Sequence, residues 1–221
     1  MRRLLASKAG TNRKAPPPMT FAEILRLPAR IFSRNRLLVV LVVLSIGAAT
    51  IYPSDMEGRY AQSRGGHDML HVVLIEDYGR FINTGLQLAV PLLLRDAAGL
   101  KQLAVITVGG ILASHGPKRL LNDVELWGTR LGQRPSSPDT KHNMPSGHAT
   151  LAGSGAYFLM RRYSLWFGLI VLPVLLATMY ARVMLDEHTI SAVIAGALTG
   201  MLVTALFTTR WRRRRSEGGQ G

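Results

Sequence analysis

Long apolar runs alternate along this chain with short connections dense in charge. Six runs stand out, at residues 37–53, 81–94, 102–115, 146–160, 164–181 and 189–209. A helix needs about 20 apolar residues to cross a bilayer. The first, fifth and sixth runs approach that length. The other three are shorter, and carry at their ends Arg, Lys, Ser or His, side chains that snorkel or line a polar cavity. The pattern predicts an all-α protein, a six-transmembrane helical bundle over residues 37–209. Ahead of it, Thr20-Phe21-Ala22-Glu23 has the form of a capping box. Phe21, Ile24, Leu25, Ile31 and Phe32 then mix with Arg26 and Arg30. Residues 20–36 therefore predict a short amphipathic helix lying on the inner leaflet. Residues 1–19, basic and rich in Pro, Ala and Lys, predict a disordered tail, and residues 210–221 a basic cytoplasmic one. The basic stretch before the first run is too long for the n-region of a signal peptide, so that run is expected to remain as an anchor. No internal repeat is visible.

Composition sharpens this picture. The 221 residues suit one domain and carry a net charge of +14. A sequence pI near 11.2 calls for an anionic partner, and the apolar runs select a membrane surface over nucleic acid. Cysteine is absent, which excludes disulfides, thiolate metal sites and a cysteine nucleophile. With the N-terminus placed in the cytoplasm, six spans leave residues 1–36, 95–101, 161–163 and 210–221 inside. Those pieces hold 18 of the 27 lysines and arginines, against Glu23, Asp96 and Glu217 among the 13 acidic residues. Such asymmetry is what the positive-inside rule requires. Residues 211–215 follow a run directly and read as a stop-transfer anchor on anionic lipid rather than a nucleic-acid tail.

Three clusters between Gly116 and Ser191 carry candidate chemistry, and the charge threading puts all three on the outer side. The first holds Lys118, Arg119, Arg130, Arg134 and Pro135, like charges whose repulsion an anionic ligand would relieve; Asp123, Glu125 and Asp139 offset part of it. The second, Pro145-Ser146-Gly147-His148, opens an apolar run. Proline is tolerated in a first helical turn, Ser146 adds a hydroxyl, and Gly147 lets a ligand approach the backbone. Free N–H groups at a helix start bind phosphate oxygens, beside which His148 would stand; an ordinary helix cap with a satisfied histidine is the plainer reading. In the third, Arg182 ends one run and His188 precedes the next. An arginine at membrane depth is a functional candidate with a fork suited to phosphate, or a snorkelling side chain beside a loop histidine. His67 and His71, with Asp68, Glu76 and Asp77 nearby, would share a face on a helix and could approach a metal. No H-E-x-x-H pattern accompanies them, so a solvated interfacial segment is expected instead.

Taken in order, the clusters resemble the signature of the type 2 phosphatidic acid phosphatase superfamily, K-x6-R-P, P-S-G-H and S-R-x5-H-x3-D. R-P stands complete at Arg134-Pro135, P-S-G-H at Pro145–His148, and R-x5-H at Arg182 and His188. The run from Ser191 to Gly196 looks like the family's S-D-V-hydrophobic-A-G with one change, and the six-run layout matches the membrane branch. Three positions depart from the pattern. Trp127 stands where the family lysine would fall; Lys118, with Asn122 in a K-x3-N arrangement, or Arg130 is the candidate to replace it. Ala181 replaces a serine. Ala192 replaces the aspartate that orients the nucleophilic histidine, leaving Asp186, water or a backbone carbonyl to serve.

The resemblance implies a metal-independent hydrolase without a cofactor. His188 would attack phosphorus to form a phosphohistidine, and His148 would act as acid and then as base. Lys118, Arg134, Arg182, Ser146 and Gly147 would hold the phosphate oxygens, with Arg130 as the alternative cation. The implied substrate is a lipid phosphate at the outer face of a bacterial inner membrane. Lipid A, undecaprenyl diphosphate and phosphatidylglycerol phosphate are the candidates. His142-Asn143-Met144 and K-x3-N lean toward the lipid A 1-phosphatases of the family. A lipid phosphotransferase is a further option. An inactive protein that binds anionic lipid, suggested by Ala192, and a transporter or channel are the readings from other classes.

Overall fold

The computed structural model describes residues 19–211. The tails expected over residues 1–19 and 210–221 therefore lie outside it, apart from Met19, Arg210 and Trp211. Each of the six apolar runs is helical. In chain order the helices are α1 (Phe21–Leu25), α2 (Leu27–Ile51), α3 (Leu70–Asp77), α4 (Ile82–Leu93), α5 (Ala97–Leu120), α6 (Gly147–Arg162), α7 (Gly168–Met184) and α8 (Ile190–Phe207). Between α5 and α6 a two-stranded antiparallel hairpin pairs β1 (Glu125–Leu126) with β2 (Thr129–Arg130). Four helical stretches are long and apolar enough to cross a membrane: Phe21–Ile51, Ala97–Leu120, Leu165–Met184 and Ile190–Phe207. The helices α4 and α6, with 12 and 16 residues, are shorter.

The capping box forms as the sequence predicts, with the Thr20 hydroxyl accepting from the Glu23 N–H and the Glu23 carboxylate accepting from the Thr20 N–H. Past a break at Arg26, α2 runs through the expected end of the amphipathic segment, kinked where Asn35 leaves helical geometry. Packing centres on α6, whose face is built of small residues. Alanines 149, 152 and 156 are fully buried, with Phe158 and Leu159 further along the helix. Close approach to α8 requires glycine. A Cβ on Gly200 would lie 2.0 Å from the Thr150 carbonyl oxygen, and one on Gly196 would lie 2.3 Å from that of Ser146. Small residues at such crossings let backbones meet where no water drives association.

One end of the bundle is closed by a buried polar network. The Arg162 guanidinium pairs with Asp96 at 2.5 Å, both side chains being almost wholly buried. It also donates to Gln102 Oε1 and to the Thr209 carbonyl, each at 2.9 Å. Asp96 caps α5 through the Gly99 N–H and accepts from the Tyr163 hydroxyl. Burial pushes the Asp96 pKa up; the hydrogen bonds from Arg162 and the Gly99 N–H, the Arg162 charge and the hydrogen bond from the Tyr163 hydroxyl together outweigh it and hold the carboxyl below its ordinary value. Lys101, at the same end, donates to the Met19 carbonyl, and the Trp211 N–H to that of Arg162. The first and last described residues thus meet the start of α5 and the end of α6 there.

Candidate active site

At the opposite end the three clusters converge. Lys118, Arg134, Gly147, His148, Arg182 and His188 all line one cavity of about 280 Å3. It continues along α5 as far as Ile106, about 18 Å of helix axis from Lys118. Lys118 comes from the last turn of α5, His148 from the first turn of α6, Arg182 from the last turn of α7, and His188 from the loop before α8.

His188 is 1% exposed. Its Nδ1 lies 2.8 Å from the Asn143 carbonyl oxygen. A carbonyl only accepts, so Nδ1 carries the proton and Nε2 keeps a free lone pair. Burial, followed by the charges of Arg182, Lys118 and Arg134, holds His188 well below its ordinary pKa against a smaller upward push from the Asn143 bond. Neutrality and a fixed tautomer are the two properties a nucleophilic imidazole needs. Asn143 is itself held, its Oδ1 accepting from the Thr189 N–H and its Nδ2 donating to the Thr189 hydroxyl. The Thr189 hydroxyl also caps α8 at the Ala192 N–H, and the Ala192 carbonyl accepts from the Ser146 N–H. A backbone carbonyl is therefore the acceptor at His188 Nδ1, in a chain where Ala192 offers no side-chain acceptor. Asp186 points elsewhere, into the Arg64 guanidinium at 2.7 Å and the Ser63 hydroxyl at 2.8 Å.

His148 Nε2 lies 3.1 Å from Arg80 Nη1. A guanidinium only donates, so this nitrogen is unprotonated in the resting site. Arg80 pairs in turn with Glu76, which also binds Arg182 at 2.6 Å. Glu187 bridges Arg134 and Arg182. Four cations thus face two carboxylates, and Lys118 makes no ion pair among the described residues. Lys118 stands close to the start of α6: a Cβ on Gly147 would be 3.7 Å from both Lys118 Nζ and Ser114 Oγ. Arg130 does not line the cavity. Its guanidinium is spent on the Pro138 and Thr140 carbonyls, bracing the loop. Asn122 holds the same loop by accepting from the His142 N–H at 2.9 Å. Ser146 is fully buried, its hydroxyl without a partner and outside the cavity lining.

Glu76, Arg80, Asn143 and Glu187 were not among the candidate site residues read from the sequence. The i,i+4 spacing of Glu76 and Arg80 signals a helix pair, but no local pattern says that Glu76 reaches across to α7. His67 and His71 do not share a helix. His67 sits in a separate 3-10 turn, and His71 stacks on Tyr180 with ring centroids 6.1 Å apart.

Comparison with known proteins places the chain in a family. Residues 98–216 match the PAP2 superfamily. The chain belongs to that superfamily: it is an integral membrane protein of the phosphatase class. It is 48% identical over 134 residues to a lipid A 1-phosphatase of Helicobacter pylori strain J99, covering 61% of this chain and 69% of the relative. A lipid A 1-phosphatase from strain 26695 is 47% identical over 134 residues, 61% of this chain and 70% of that protein. A lipid A 4'-phosphatase of strain J99 is 35% identical over 128 residues, 57% of this chain and 64% of that one. No solved structure matches. The family match begins in α5, so Glu76 and Arg80 lie outside it.

Proposed function

We propose that the protein removes the 1-phosphate of lipid A at the outer face of a bacterial inner membrane, without a metal. The observation that carries this reading is the convergence of His148, His188, Lys118, Arg134 and Arg182 on one cavity at the end of a set of apolar helices. Four cations against two carboxylates leave an excess of about two positive charges, matching a phosphate monoester that is close to dianionic at neutral pH. The 48% identity to a lipid A 1-phosphatase, against 35% to a 4'-phosphatase, favours the 1-position.

His188 Nε2 attacks phosphorus, forming a P–N bond as the P–O bond to the sugar breaks. The leaving oxygen takes a proton from His148. Water then gives a proton to His148, its oxygen bonds to phosphorus, and the P–N bond breaks to release phosphate. In the resting site Arg80 occupies His148 Nε2. An incoming phosphate draws that guanidinium to its own oxygens, and the freed Nε2 takes up from solvent the proton it delivers. Lys118, Arg134 and Arg182 stabilise the charge on the non-bridging oxygens. The Gly147 N–H, at the start of α6 on the cavity wall, belongs to the same phosphate cradle, whereas the Ser146 hydroxyl expected beside it is buried outside the lining.

The six helical runs cross the membrane, and the outer end of α6 opens on the cavity. Residues 20–36 lie on the inner leaflet, and both termini are cytoplasmic. The charge asymmetry supports this, as does the meeting of the segments assigned to the inner side around Arg162. The test is phosphate release by the purified protein from lipid A, undecaprenyl diphosphate and phosphatidylglycerol phosphate, with a chelator present. Release from the 1-position of lipid A in undiminished yield is expected. Release from another lipid alone, or none, overturns the assignment. Lys118→Ala should lower kcat/KM by about 100-fold, the size of a lost charge-stabilising contact. Arg130→Ala should keep kcat/KM within about threefold, because its bonds brace a loop at the surface; the reverse order of effects would transfer the cation role to Arg130.

A further inference from the structure

Beneath its cationic end, the cavity contains two polar atoms with nothing to bond. Gln87 Oε1 and Ser114 Oγ are buried and without a hydrogen-bond partner. Gln87 is 7% exposed and Ser114 3%, and both residues line the cavity. Their neighbours on the same wall are satisfied: the Ser154 hydroxyl pairs with Thr204 at 2.8 Å, and the Thr150 hydroxyl donates to the Ser146 carbonyl at 2.8 Å. A buried acceptor without a donor is unfavourable, and its persistence in a cavity wall points to a group that enters with a ligand.

The position of the two atoms fits a lipid substrate. Ser114 is one turn below Lys118 on α5, about 6 Å along the axis. Gln87 is five residues into α4, about 8 Å from its outer end. Both therefore sit at the depth where the headgroup of a phosphorylated lipid gives way to its chains.

We propose that Gln87 and Ser114 form a subsite that reads a hydrogen-bond donor in the substrate just below its phosphate, an amide N–H or a hydroxyl. The inference rests on the lipid phosphatase reading and adds the feature by which the site selects among lipid phosphates. The carbonyl oxygen of Gln87 accepts only, so the ligand must donate to it; the Ser114 hydroxyl can take either role. An acylated amino sugar phosphate carries amide N–H groups and hydroxyls at this distance. A polyprenyl diphosphate has a second, ionised phosphate and then hydrocarbon there, neither of which donates, and would leave Gln87 Oε1 unpaired. Sites built to hydrogen-bond a substrate reject analogues lacking the group far more strongly than apolar pockets reject a size change.

The deciding measurement is kcat/KM of the full chain on lipid A and on undecaprenyl diphosphate, for the wild type, Gln87→Leu and Ser114→Ala. The preference for lipid A should fall at least tenfold in each variant, through loss on lipid A alone. Gln87→Leu also removes an unpaired buried acceptor, so the melting temperature should hold or rise while discrimination falls. Equal losses on both lipids, or an unchanged ratio, would overturn the subsite and leave the two atoms bonded by water only. Should Gln87→Leu not fold, Gln87→Met and Ser114→Ala decide in the same way. Release of phosphate from neither lipid by the wild type would count against the proposed function. The subsite is then read from equilibrium binding of the two lipids in detergent to the same proteins: a tenfold fall in relative affinity supports it, and unchanged relative affinity overturns it.

Discussion

His188→Ala is expected to abolish phosphate release while leaving the protein folded and able to bind lipid phosphate. Loss of a nucleophile from a two-step covalent mechanism costs about 10^4-fold or more in kcat, since the remaining groups act with it as a unit. The side chain lies against the Asn143 carbonyl and the cavity, outside the hydrophobic core of α6, so its removal should lower the melting temperature without unfolding the protein. Acid quench of the wild type during turnover should trap phosphate on histidine, and the variant should show none. Retained turnover in His188→Ala would remove His188 from the nucleophile role. The pH dependence follows from the depressed pKa. A histidine held below its ordinary value stays neutral and nucleophilic above its folded pKa, and is lost as pH falls through it. The His188 contribution to the acid limb of kcat/KM should therefore lie well below the pH range of an ordinary histidine. Disturbing the Asn143–Thr189 bonds with Asn143→Ala should lower kcat more than it raises KM, because it loosens the ring without removing a phosphate contact.

Breaking the buried pair at the other end is expected to have the largest effect on stability. Arg162→Met leaves the Asp96 carboxylate inside the protein with only the Gly99 N–H and the Tyr163 hydroxyl to satisfy it. Removing one member of a buried ion pair costs about 3–5 kcal/mol. The double variant Asp96→Leu/Arg162→Met removes both charges and should recover most of that loss, a non-additivity expected of residues in direct contact. Thermal unfolding in a fixed detergent measures all three proteins. A double variant less stable than Arg162→Met would show that the network acts through its bonds to Gln102 and Thr209 rather than through the pair. The Asp96 carboxyl has a lowered pKa, so its contribution is present above its unfolded value and is lost as pH falls through the folded one. Stability of the wild type should accordingly drop at acid pH, and that of the double variant should drop less.

Much of this molecule is written locally. The six apolar runs are helices because each carries its own hydrogen bonds and needs only length and apolarity to be seen. The Thr20–Glu23 cap is legible because its partners are three residues apart. Cationic clusters, the Pro145–His148 turn and the Arg182–His188 spacing mark a phosphate site from sequence because family chemistry fixes which residue types stand at which intervals. Helix ends were less exact. The α2 kink at Asn35 and the extension of α5 from Ala97 to Leu120 depend on what packs against them.

Tertiary structure decided the rest, since it depends on residues far apart in the chain. Lys118 rather than Arg130 lines the cavity because α5 delivers its last turn to the start of α6, whereas the hairpin turns Arg130 back into its own loop. The Asn143 carbonyl, 45 residues before His188, is the acceptor at its Nδ1, and a backbone acceptor has no side-chain signature. Glu76 and Arg80 enter from outside the motif region because α3 packs on α7. The sequence by itself determined the class of chemistry and the helices that carry it. The fold alone decided which carboxylate meets which cation, which nitrogen of each histidine is free, and which polar atoms are left waiting in the cavity.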